Sequence, residues 1–366
     1  MAELLLPESA TSLPSHHAPA LLRVVAMGGG TGLSTLLRGF KHFAASATTG
    51  AAGHGDCDPA TCLISDLAAV VTVTDDGGSS GRLRKDFKML PPGDLRNCMV
   101  ALSEDEQLLS RLFRHRFRSG GELEGHAFGN LFVAALLEIT GDFAQAIKLA
   151  AEVLATRGRI YPATNVNVNL AARMNTGEII RGETLITSSK SRIVELMLEP
   201  AHAAPLPETL EAIAAADLIT LGPGSLFTSV ITNLLVAGIP EALATAHATR
   251  VYVCNLMTQG NESLYLSASQ HIERMYEHVK APFIDYALVN IAPVSPAIRE
   301  RYVAEGADVI HADIERIEAM GIRCITGAFA AEGDVLRHDA DLVARTALRL
   351  ALADRAAAHR GSVQTQ

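Results

Sequence analysis

The run Gly28-Gly29-Gly30-Thr31-Gly32 follows an apolar stretch, Leu22 to Met27, and precedes Leu33 to Phe43, which has helical spacing. A glycine turn between strand and helix lets backbone N–H groups approach a phosphate, and the helix N-terminus adds positive potential. The run is neither a dinucleotide fingerprint nor a Walker A loop. Counted from Gly28, the third glycine of G-x-G-x-x-G falls on Leu33, and no lysine follows. The alternative is a tight βα turn that binds nothing.

A second loop, Thr74-Asp75-Asp76-Gly77-Gly78-Ser79-Ser80-Gly81-Arg82-Leu83-Arg84, begins where the valine-rich strand Leu67 to Thr74 ends. Asp75 and Asp76 are candidates to hold a divalent metal ion or a ribose hydroxyl. Gly77, Gly78, Ser79 and Ser80 offer N–H groups and hydroxyls, and Arg82 can pair bidentately with phosphate. Arg84, Lys85 and Lys88 make the loop a positive island; the alternative is a solvated surface loop. A third segment, Leu90-Pro91-Pro92-Gly93-Asp94-Leu95-Arg96-Asn97, places Asp94 where it can cap the next helix. Arg96 and Asn97 then fall in the first helical turn, where a cation opposes the helix dipole and points to a bound anion.

A fourth loop, Gly222-Pro223-Gly224-Ser225-Leu226-Phe227-Thr228-Ser229, follows the strand Asp217 to Leu221 and repeats the strand, glycine loop, helix pattern. His126, with Phe128, Gly129 and Asn130, opens an apolar helix and is either a structural cap or a secondary polar contact.

The elements that must position these loops alternate strand and helix. This argues for an α/β fold with a mostly parallel sheet. In such sheets ligands bind beyond the carboxyl ends of the strands at a topological switch point, so the glycine loops are expected to meet there. Residues 159–200 change character and read as a small antiparallel β subdomain or flap, with Asn175-Thr176-Gly177 as a turn. The expected organisation is a flexible tail over 1–20, one domain over 21–355 with a surface insertion at 44–61, and a flexible tail over 356–366.

The chain has 366 residues, is 48% hydrophobic and 19% charged, has 5% aromatics and no Trp, and carries a net charge of −9. That composition supports an aliphatic core and excludes a disordered chain or a disulfide mini-domain. The acidic balance argues against nucleic acid as partner. No apolar run approaches the ~18 residues of a membrane span, so no membrane is expected either. The odd, scattered cysteines Cys57, Cys62, Cys98, Cys254 and Cys324 read as reduced and intracellular. The shared chemistry of the loops is recognition of phosphate and sugar, as in a nucleotide diphosphate, with no convincing nucleophile triad or zinc set.

Gly28 to Gly32, Asp75 to Arg84, Leu90 to Asn97, His126 to Asn130, Gly222 to Ser229 and Cys254-Asn255-Leu256-Met257-Thr258-Gln259 together resemble the gluconeogenesis factor family of the YvcK type, within the CofD-like superfamily. The resemblance covers roughly residues 22–330. It implies a CofD-like Rossmann-type fold, a cytoplasmic protein and a homo-oligomer. For this branch it implies binding of a UDP-sugar such as UDP-N-acetylglucosamine, with links to gluconeogenic growth, cell shape and peptidoglycan synthesis. For the superfamily's enzyme it implies Mg2+-dependent transfer of a phospholactyl group from a nucleotide diphosphate conjugate to a deazaflavin, with Asp75 and Asp76 at the metal. Asn255 and Arg301 join the implied ligand contacts. One segment departs from the pattern: Gly260-Asn261-Glu262-Ser263-Leu264-Tyr265-Leu266 stands where the family has Pro-Gly-Glu-Thr-Asp-Gly-Tyr, so Leu266 takes the usual tyrosine place.

Overall fold

The computed structural model describes residues 21–45, 62–104, 108–119, 121–260 and 262–363. The expected tail 1–20 and nearly all of the expected insertion 44–61 lie outside the described residues.

The strands are β1 Leu22–Gly28, β2 Ile64–Val71, β3 Arg159–Pro162, β4 Asn169–Met174, β5 Ile179–Arg181, β6 Ile193–Glu199, β7 Leu218–Leu221, β8 Thr249–Val253, β9 Tyr286–Asn290, β10 Arg323–Gly327, β11 Ala330–Ala331 and β12 Arg337–His338. The helices of the first half are α1 Gly30–Lys41, α2 Gly78–Phe87, α3 Gly93–Leu102, α4 Leu108–Arg114, α5 Phe128–Thr140, α6 Phe143–Val153 and α7 Glu183–Ser188. Those of the second half are α8 Pro207–Ala215, α9 Thr232–Leu234, α10 Ile239–Thr245, α11 Ala268–Val279, α12 Pro296–Ala304, α13 Ile314–Ala319 and α14 Ala340–Val363.

Seven strands form one parallel sheet in the order β10-β9-β8-β7-β1-β2-β3. Its central strands read as continuous apolar runs, as helices on both faces require. Their side chains belong to one hydrophobic core running through the sheet and its helices. Strand β1 sits beside β7 on one side and β2 on the other, so the chain reverses its direction of travel across the sheet at the β7–β1 pair. That reversal is the switch point, and the loops after β1 and β7 face each other across it. Among the described residues no single helix is long and apolar enough to cross a membrane.

The structure corrects the expected boundaries in four places. The strand read as Leu67 to Thr74 is Ile64–Val71, leaving Thr72 to Thr74 as loop. Residues 159–162 do not belong to the antiparallel excursion; they pair parallel with β2 at the sheet edge. The excursion is the sheet β5-β4-β6, and Glu183–Ser188, read as strand, is a helix within it. Short apolar runs do not separate the two states by periodicity, and here packing on β4 decides. The tail expected from 356 is helical as far as Val363, the end of an alanine-rich helix with no glycine or proline before Gly361.

Helix α14 lies close against α1. A Cβ at Gly39 would stand 2.1 Å from the Ala340 carbonyl oxygen, part of a backbone that cannot move aside cheaply. Gly39→Ala is therefore expected to lose about 1–3 kcal/mol of stability, despite alanine's better helix propensity, as read by urea unfolding.

Candidate functional site

A cleft of about 400 Å³ opens above the switch point. One wall is Gly29 to Gly32 at the start of α1; the facing wall is Pro223, Gly224, Ser225 and Ser229 after β7. The walls meet because glycine permits it: a Cβ at Gly32 would lie 2.4 Å from the Pro223 carbonyl oxygen. Asn255, after β8, holds the second wall by a two-way clamp on Gly224. Its Nδ2 donates to the Gly224 oxygen at 2.7 Å, and its Oδ1 accepts from the Gly224 N–H at 3.2 Å. Gln259 Nε2 donates to Ser225 Oγ at 2.9 Å.

The rim is completed by Tyr302 on α12 and by Val335 to His338, the second strand of the β11–β12 hairpin and its approach. Leu336 N–H donates to the Tyr302 hydroxyl at 3.2 Å. His338 Nε2 donates to the Cys254 carbonyl at 3.0 Å, and burial pushes its imidazole down to about 4, so it is neutral near pH 7. Arg337 is exposed on the rim and has no ion pair among the described residues. Sequence reasoning missed Tyr302, Arg337 and His338; no glycine or charge motif marks them. It selected Arg301, whose Nη1 instead donates to the Asp334 carbonyl and braces the hairpin from outside the cleft.

The first turn of α1 is partly filled by the protein itself. Asp94 does not cap its own helix, as the sequence allowed; it accepts from the Gly30 N–H at 2.7 Å. Loss of surrounding water pushes its carboxyl up to about 6, against the pull of that N–H, and Asp75 adds to the rise. The N–H groups of Thr31 and Gly32 meet no acceptor among the described residues and remain available. The helical turn after β7 is filled in the same way. Glu262 Oε1 accepts from Thr228 Oγ1 at 2.8 Å, while its Oε2 accepts from the Phe227 and Thr228 N–H groups at 3.3 and 3.4 Å. Thr228 is thus committed to Glu262. In the segment that departs from the family pattern, Leu266 packs on the core and Tyr265 is 88% exposed, outside the cleft.

The second loop stands apart from the cleft. Asp76 accepts from the Thr184 N–H at 2.8 Å and hydroxyl at 2.5 Å. Asp75 accepts from the Gly77 N–H at 2.9 Å and lies beside Gly93. The two carboxylates bond different elements, Asp75 the loop before α2 and Asp76 the start of α7. Among the described residues no group of three His, Cys, Asp or Glu has metal-binding geometry. Arg84 donates to Thr74 and Val168 carbonyls at 3.2 and 2.7 Å, tying α2 to the antiparallel excursion. Ser79, Arg82, Arg96, Asn97, His126 and Asn130 gather around the start of α2, beyond Asp94, and none lines the cleft.

The fold and the cleft define a class: a doubly wound α/β protein with a cleft at its switch point, walled by the glycine-rich start of α1. A family model described as 2-phospho-L-lactate transferase CofD matches residues 24–330. The "Gluconeogenesis factor" of Bacillus subtilis (strain 168) is 44% identical over 323 residues, 88% of this chain and 96% of that protein. The protein of the same description from Halalkalibacterium halodurans is 44% identical over 326 residues, 89% of this chain and 95% of that protein. A crystal structure of protein BH3568 from Bacillus halodurans superposes with a TM-score of 0.83 at 43% identity, covering 90% of this chain and 99% of that one. The chain belongs to the CofD family, among the gluconeogenesis factors.

Glu183, accepting from Thr74 Oγ1 at 2.9 Å, is pushed up to about 8 by burial, with Asp75, Asp94 and Glu262 adding to the rise. The folded chain holds this proton more tightly than the unfolded chain, where the value is 4.5. Its contribution to stability is therefore intact below about pH 4.5 and is lost as pH rises toward about 8. Relative to the natural chain, Glu183→Gln is expected to gain urea resistance steadily from pH 5 to pH 8; equal pH dependence of the two would contradict the assignment.

Proposed function

We propose that the cleft binds a nucleotide diphosphate sugar of the UDP-N-acetylglucosamine type and that the chain acts as a regulatory binding protein. The observation that carries this reading is the pairing, in one cleft, of free N–H groups at Thr31 and Gly32 with the uncompensated Arg337 guanidinium. A diphosphate satisfies both: its oxygens accept from the helix start and pair with the guanidinium fork. The about 400 Å³ of space falls in the range of small-molecule sites. Asn255 and Gln259 keep Gly224 and Ser225 in place as the opposite wall, and Tyr302 lines the rim. The named relatives support a role in carbon metabolism. The links to cell shape and peptidoglycan synthesis, a cytoplasmic setting and a homo-oligomer belong to the same reading.

The transferase alternative assigns Asp75 and Asp76 to Mg2+. The engagement of Asp76 by Thr184 and of Asp75 by Gly77 favours binding without turnover. Assays with a deazaflavin acceptor are expected to show none, and turnover lost in Asp76→Asn would restore the alternative.

Calorimetry with UDP-N-acetylglucosamine, UDP-glucose, GDP and NAD tests the leading reading. Arg337→Ala is expected to weaken UDP-N-acetylglucosamine binding roughly ten- to hundredfold, the worth of about 1.5–3 kcal/mol for a charge-assisted bond. Its urea midpoint should stay unchanged, since the side chain is exposed. No binding of any of the four at millimolar ligand overturns the reading.

A further inference from the structure

Helix α2 opens with three N–H groups, at Gly78, Ser79 and Ser80, that meet no acceptor among the described residues. Gly78 has a φ of 47°, and nothing lies within 4 Å of where its Cβ would stand, so the space before the helix is open. Beside this end lies a polar network inside the protein. Ser79, Asn130, His126 and Arg96 are 3%, 1%, 6% and 8% exposed. Asn130 Nδ2 donates to Ser79 Oγ at 3.1 Å, Ser79 Oγ meets His126 Nδ1 at 3.1 Å, and Arg96 Nη1 donates to Asn130 Oδ1 at 3.1 Å. The Arg96 Nε is fully covered and has no partner. An orphaned buried guanidinium N–H is costly and calls for an acceptor.

Two further guanidiniums close on the same place. Arg82 Nη2 donates to the Glu124 carbonyl and Arg116 Nη1 to the adjacent Gly125 carbonyl, each at 2.6 Å. Among the described residues none of Arg82, Arg96 and Arg116 has a carboxylate within hydrogen-bond reach. Asp75 and Asp94 attract Arg96 from a distance, but Asp94 turns to Gly30, Asp75 to Gly77 and Asp76 to Thr184. Three guanidiniums thus collect near an open helix start with no carboxylate hydrogen-bonded to any of them among the described residues.

We propose that the start of α2, with Arg82, Arg96 and Arg116, is a second anion site, separate from the nucleotide cleft, that takes the phosphate group of a small phosphorylated metabolite. A tetrahedral phosphate presents enough acceptor oxygens for the α2 N–H groups and the guanidinium forks together. Asp94 stands between this site and the cleft, since its carboxylate is bound to α1.

Hydrogen–deuterium exchange on the full chain tests the site, with inorganic phosphate and glycerol 3-phosphate as probes. Both are expected to give saturable protection of segments 77–82 and 124–130, retained when UDP-N-acetylglucosamine is in excess. Arg116→Gln, at an exposed position, should weaken this at least tenfold while the urea midpoint holds. Arg96→Gln should abolish it, and if that variant does not fold Arg116→Gln carries the test. Protection confined to 28–32 and 224–229 overturns the proposal. So does displacement by the nucleotide sugar, which would make the phosphate the cleft ligand's own, and so does natural-strength binding by Arg116→Gln. A chain that shows the protection but binds no nucleotide sugar keeps this site and loses the function proposed above.

Discussion

One carboxylate organises the whole strand-end face. Asp94 leaves α3 and ends on the first amide of α1, 2.7 Å from the Gly30 nitrogen. The helix start favours a negative charge there, while loss of water disfavours it, and the carboxyl settles at about 6. The contact demands glycine on the receiving side: a Cβ at Gly29 would lie 2.9 Å from the same carboxylate and 2.6 Å from the Thr72 methyl. That close approach fixes the loop after β1 against α3 and separates the cleft from the start of α2. Glu262 repeats the device at the turn after β7. The helix starts after β1 and β7 therefore each hold one of the protein's own carboxylates, which leaves over the Thr31 and Gly32 amides and the cations brought by other elements.

The distribution of charge follows the same logic. The chain carries a net charge of −9, yet Arg82, Arg96, Arg116 and Arg337 stand near helix starts without carboxylate partners among the described residues. At the opposite ends of the strands Arg250 pairs with Asp285 and Arg23 with Asp217. Exposed pairs contribute little to stability, so their value lies mainly in fixing register.

The antiparallel excursion is held where the second loop begins. Thr74 reaches Glu183, Asp76 reaches Thr184 and Arg84 reaches Val168. Of the adjacent pair that looks most like catalytic machinery in the sequence, Asp76 is thereby taken up in joining the two sheets, while Asp75 holds the Gly77 N–H of its own loop.

Much of this was legible in the sequence. The apolar runs ending at Gly28 and Leu221 and the glycines beyond them determine two parallel strands with open loops, because strand burial and backbone access are properties of residue type. The gathering of Gly29 to Gly32, Gly224 and Ser225 in one cleft followed from the switch-point rule, whereas the second loop, expected there too, lies outside it and Asn255 was marked by the family resemblance alone. What the sequence could not decide was which polar groups spend their hydrogen bonds inside the protein. Asp76, Thr228 and Arg301 carry the right chemistry for a ligand but are engaged by Thr184, Glu262 and Asp334. Tyr302 and Arg337 carry no motif but reach the cleft, because α12 and the β11–β12 hairpin close over it. Local composition sets what a side chain can do. Only tertiary packing, which brings positions far apart in the chain within hydrogen-bond range, sets what remains free to do it.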